Sequence, residues 1–76
     1  MMSDWYRTNT SGTYLVVPTG IPLSTLKMPD SVQSLLDERI TLPFARNVDS
    51  HSLAMTFNRA GVDDCLKHSG FCVIRR

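Results

Sequence analysis

The chain has 76 residues, 42% of them apolar, and carries eight Lys plus Arg against seven Asp plus Glu. That length holds one domain with a marginal core, and the apolar share is that of a folded globule rather than a disordered chain. The near-cancelling charge gives no field to steer phosphate or anionic lipid, which argues against nucleic acid as a partner. No apolar run approaches the roughly 20 residues that span a bilayer.

Residues 1–11 are polar, rich in Thr, Ser and Asn, and read as a flexible or loosely packed N-terminal segment ahead of one domain over 12–76. They lack the basic run and apolar core of a signal peptide, so a cytoplasmic location is expected. Trp5 and Tyr6 interrupt the segment; they either pack on the edge of the domain or project toward a partner.

Gly12 then precedes Thr13-Tyr14-Leu15-Val16-Val17, a β-branched and aromatic run closed by Pro18. It is apolar on both faces, as a central strand would be. Pro18 to Pro22 is a turn around Gly20. Leu23 to Met28 fits either one helical turn or a packed loop. Pro29 to Arg39 has Val32, Leu35 and Leu36 at helical spacing, and Asp30 with Gln33 has the spacing of a capping box.

Ile40, Leu42 and Phe44 alternate, predicting a half-buried strand that Pro43 confines to a sheet edge. Arg46 to His51 reads as a hairpin loop. Ser52 to Phe57 alternates again, with Leu53, Met55 and Phe57 on one face, predicting another strand. The rival is a single helix from an Asp49 cap to Ser69. The strand is preferred because Gly61 in mid-helix costs about 1 kcal/mol relative to Ala, and Thr56 and Asn58 form helix poorly. Asn58 would then cap a helix from Arg59 to Ser69. In that helix Asp63 and Asp64 lie near the positive end and Lys67 and His68 near the negative end, with Gly70 as stop. Phe71 to Ile74 reads as a last strand. The fold class expected is α+β: a small single-layer sheet of three to four short, mainly antiparallel strands with two helices packed on one face.

His51, Cys65, His68 and Cys72 are all the histidines and cysteines in the chain, and four is the number of ligands in a structural zinc site. Their spacing matches no zinc-binding pattern, and no metal or cofactor is expected. A Cys65–Cys72 disulfide would clip the last helix to the last strand, although a reducing compartment disfavours it. Cys65 with His68 as base is the one thiol-catalytic pair, but Cys65 points inward on this helix. No phosphate loop or hydrolase motif occurs.

These exclusions leave a non-enzymatic protein that binds another protein as a regulator, inhibitor or accessory subunit. It would use an exposed sheet edge and an aromatic and arginine surface drawn from Trp5, Tyr6, Arg7, Arg46, Arg75 and Arg76. An open edge and a small core also leave room for a homodimer. The alternatives are a weak nucleic-acid-binding module using Trp5-Tyr6-Arg7 and Arg75-Arg76, or a zinc-stabilised module.

Overall fold

A computed structural model describes residues 1–36 and 43–75. Within these residues four strands form one antiparallel sheet: β1 (Met2–Arg7), β2 (Thr13–Pro18), β3 (Ala45–Asp49) and β4 (Cys72–Arg75), in the spatial order β3-β1-β2-β4. Among the described residues three short α-helices accompany them: α1 (Asp30–Gln33), α2 (Ser50–Met55) and α3 (Val62–Ser69). The α+β class with short strands is therefore the one the sequence predicts.

The alternation of side chains along the strands builds two apolar layers. On one face Trp5, Val16, Cys72 and Ile74 pack under Ala54 of α2 and Val62 and Leu66 of α3. On the other face Tyr6, Leu15 and Val17 are covered by Leu23, Leu26, Met28, Val32 and Leu36. The two helices that share a face are thus α2 and α3, while the 3-10 turn Leu23–Thr25 and α1 cover the reverse side. β2 is buried on both faces, as its two-sided apolar sequence predicts.

The first correction concerns residues 1–11. They are not a loose leader: Met2–Arg7 is an interior strand hydrogen-bonded between β2 and β3. Trp5 is fully buried and Tyr6 retains 8% of its surface. Polar residues mask this strand in the sequence, because Ser3 is itself buried and Asp4 faces the turn at Thr19.

The second correction lies in residues 45–61. The predicted loop Arg46–His51 contains β3, and the predicted strand Ser52–Phe57 is helical. Asp49 caps α2, accepting from the Ser52 backbone N–H at 3.0 Å and from its hydroxyl at 2.7 Å. That cap belongs to the rival reading, yet one continuous helix does not form. Asn58 takes the left-handed conformation at φ 56°. There the Arg59 N–H reaches the Ala54 carbonyl at 3.1 Å and the Asn58 N–H reaches Met55 at 3.1 Å. This pair of bonds is a Schellman stop, with Asn at the position glycine usually holds. Asn58 therefore ends α2 rather than opening α3, which starts at Val62 after a left-handed Gly61.

Two smaller readings also change. α1 has Pro29 at its N-cap and no side-chain cap; Gln33 donates instead to the Met28 carbonyl at 2.7 Å. Half of the predicted strand Ile40–Ala45, residues 40–42, lies outside the described residues, and of the rest Ala45 belongs to a strand.

Candidate protein-binding edge

The two outer strands differ as edges. β3 is irregular: its pairing with β1 shifts register between Ser3 and Trp5, and Asn47 sits at φ 51°. The Asn47 N–H turns inward to the Asp4 carboxylate at 2.8 Å. A bulge of this kind twists an edge away from further pairing.

β4 is regular over its whole length, with Thr13 opposite Arg75, Tyr14 opposite Ile74, Leu15 opposite Val73 and Val16 opposite Cys72. The Thr13 N–H is engaged by the Thr10 carbonyl at 3.1 Å, and the Thr13 carbonyl accepts from the Thr8 hydroxyl at 2.9 Å. Thr13 and Arg75 are therefore not a hydrogen-bonded pair. Since antiparallel pairs alternate, Tyr14–Ile74 and Val16–Cys72 carry the ladder, and the backbone groups of Val73 and Arg75 face outward.

Those outward groups are partly covered. The Arg59 side chain donates to the Arg75 carbonyl from Nε at 3.2 Å and from Nη2 as well. At the other end the Cys65 thiol donates to the Phe71 carbonyl at 3.3 Å. Between them the Val73 carbonyl meets, among the described residues, the Cys72 thiol at 4.0 Å. The open part of the edge is thus centred on Val73.

On the face covered by α2 and α3 a ladder of rings rises from the core to the surface, running over β1 and β2 toward Phe44, whose N–H bonds to the Trp5 carbonyl on the β3 side of the sheet. Trp5 stacks on Phe57 at 5.6 Å, Phe57 meets Tyr14 at 5.3 Å, and Tyr14 meets Phe44 at 5.1 Å. The Arg7 guanidinium lies over Phe44, 5.6 Å from the ring centre, and Phe44 is 42% exposed. Arg7, Arg59 and Arg75 are exposed, and the ion pairs among the described residues involve none of them.

The predicted binding residues divide accordingly. Arg7 and Arg75 are at the surface, and Arg76 lies outside the described residues. Trp5 and Tyr6 must be corrected: as interior-strand residues packed in opposite layers they are core, with no ring free to meet a partner or stack on a base. Arg46 sits on β3, away from β4, and lines a cleft of about 390 Å³ with Asp4, Tyr6, Thr19, Pro43 and Asn47. In that cleft Asp4 is already bonded to the Thr19 hydroxyl at 3.1 Å and to Asn47. Burial, and secondarily the Asp4 charge, raises the Tyr6 hydroxyl above its usual range. The sequence reading missed Tyr14 and Phe44 as surface-leading rings. The alternation of Thr13–Val17 could have placed Tyr14, but the contact of Phe44 with Tyr14 depends on long-range pairing.

His51, Cys65, His68 and Cys72 do not assemble as a ligand set: among the described residues no three His, Cys, Asp or Glu side chains are grouped to hold a metal ion. His51 and His68 are exposed on α2 and α3. Cys65 and Cys72 do come together, both as free thiols. Among the described residues no helix is long and apolar enough to cross a membrane. The chain has no significant match among protein-family models, curated proteins or solved structures.

Proposed function

We propose that this chain is a small non-enzymatic protein-binding protein, a regulator, inhibitor or accessory subunit, that takes a strand of its partner onto β4. The observation that carries the reading is the contrast between the two edges. β3 is bulged, whereas β4 is straight and keeps the Val73 backbone pointing outward. An added strand gains main-chain hydrogen bonds there, and side chains on alternate positions meet Val73 and the cationic end at Arg75. The exposed Arg59 and Arg75 flank that edge with a residue type enriched at binding hot spots.

The test uses Val73→Pro, which removes the outward N–H and leaves the bonds between β4 and β2 in place. Tagged wild-type and V73P chains are purified from the native host, and folding of both is checked by circular dichroism. The expected result is a stoichiometric protein with wild type that is absent from folded V73P. Recovery of nucleic acid alone, or of no protein sensitive to V73P, overturns the reading.

A further inference from the structure

The two cysteines of the chain lie seven positions apart, on α3 and on β4, and the fold brings Cys65 to the residue beside Cys72. Cys65 packs against the cluster that contains Cys72. Its thiol reaches the carbonyl of Phe71, the residue immediately before Cys72, at 3.3 Å. Both are free thiols and their exposure differs: Cys65 is partly exposed, whereas Cys72 retains only 8% of its surface. A partly exposed thiol beside a buried one is the arrangement in which the first meets an oxidant and the second resolves the product.

We propose that Cys65 and Cys72 form a dithiol modification site, oxidised by a peroxide to an intramolecular disulfide that ties α3 to β4 and reversed by thiol exchange.

In the first step the Cys65 sulfur, having lost its proton, attacks one oxygen of the peroxide. The O–O bond breaks, an S–O bond forms, and the other oxygen leaves as hydroxide or alkoxide, which takes up the proton Cys65 released and becomes water or an alcohol. Cys65 is then a sulfenic acid. In the second step the Cys72 sulfur attacks the Cys65 sulfur. The S–O bond breaks, the S–S bond forms, and the departing hydroxide takes the Cys72 proton and leaves as water. Each disulfide consumes one peroxide, which is reduced by the two electrons the thiols give up. A second thiol pair returns the site to the dithiol by exchange.

The order of the steps follows from the environment. Burial, then the neighbouring Cys65 thiol, push the Cys72 thiol up to about 12, against the opposing pull of Arg59. Cys72 therefore stays protonated at neutral pH, and thiolate is the form that attacks peroxide. Its role is to resolve a neighbouring sulfur already activated, yielding its proton to the departing hydroxide as it attacks. The disulfide has no S–H, so oxidation also withdraws the donor that Cys65 offers to the Phe71 carbonyl.

The experiment treats the folded, reduced full chain with hydrogen peroxide, blocks remaining thiols with a maleimide, and measures the intact mass. The expected product is a monomer lighter by two hydrogen atoms, with no maleimide added. Digestion without reductant should join the peptides of Cys65 and Cys72, and dithiothreitol should restore two reactive thiols. Cys72→Ser should accumulate a sulfenic acid at Cys65 that dimedone traps, while Cys65→Ser should leave Cys72 unreactive in the folded chain. The wild-type mass does not depend on either variant folding. Wild type that yields intermolecular disulfides, or sulfinic acid at Cys65 with Cys72 still free, overturns the proposal.

Discussion

The indole N–H of Trp5 donates to the hydroxyl of Ser3 at 3.0 Å, and that hydroxyl donates in turn to the Val48 carbonyl of β3 at 3.3 Å. Two side chains on one face of β1 thus relay a bond to the neighbouring strand, and both are fully buried. Ser3→Ala removes the relay and strands the indole N–H in the core. The expected loss is about 1–3 kcal/mol, the cost of an unsatisfied buried donor. Urea denaturation of S3A measures it. Trp5→Phe made on the S3A background should lose less than the sum of the two single changes, because no donor is left to strand.

A second prediction follows from Asp49. Its carboxyl is held well down, at about 2 against an ordinary 3.8, chiefly by the Ser52 hydroxyl and then by the Ser52 N–H and the terminal ammonium. A depressed folded value means stability that is present above about pH 4 and lost as pH falls toward 2. Asp63 is lowered in the same sense, first by its bond from the Ser50 hydroxyl. The midpoint of urea unfolding should therefore fall across that window. Asp49→Asn keeps a capping side chain and should flatten the fall without removing it, while Asp49→Ala should also lower the plateau near neutral pH. An acid limb identical in D49N and wild type would falsify this assignment.

The third prediction concerns Arg59. Its side chain covers the Arg75 carbonyl at the open edge. Arg59→Ala removes both the cover and a charge, two devices that keep edges from pairing with copies of themselves. R59A should self-associate at concentrations where wild type does not, and sedimentation velocity across a concentration series reads this directly. Unchanged sedimentation at all concentrations would show that the guanidinium does not guard the edge.

The stop of α3 yields the fourth. Gly70 sits at φ 79° with its N–H bonded to Leu66 at 3.0 Å. A Cβ there would meet nothing within 4 Å, so the cost of a side chain is conformational rather than steric crowding. Gly70→Ala should destabilise by about 1 kcal/mol, and Gly70→Asn by less, since Asn tolerates the left-handed region. Thermal melts of the two variants give the order.

The elements that were legible in the sequence are those whose local signals agree with their packing. β2 is a β-branched run apolar on both sides, and its place in the interior follows from that. Most of α3 is marked by Asp63 and Asp64 at its start, Lys67 and His68 at its end and Gly70 beyond. β1 was hidden because its burial depends on partners far away in the chain: Ser3 looks like a loop residue until Trp5 and Val48 consume its hydroxyl. At Asn58 one residue type serves as either an N-cap or a left-handed stop. The choice is made by the Ala54 and Met55 carbonyls, which exist as acceptors only if α2 has formed. For the site, the outward Val73 backbone follows from hydrogen-bond parity, which side-chain pattern alone does not reveal.

The position of β1 has a consequence for how the chain acquires its shape. β1 closes with β2 through a short connection, but its bond to β3 bridges 45 positions of sequence. The hairpin can form early, whereas its other flank waits for a distant segment, and non-local strand pairing of this kind slows folding. On the ribosome β1 and β2 are made well before β3, α2 and α3, which bury Trp5. Until then the nascent hairpin carries an uncovered indole and an unpaired flank, so this interval, rather than the finished molecule, is when the chain is most exposed to misassembly and most suited to chaperone capture.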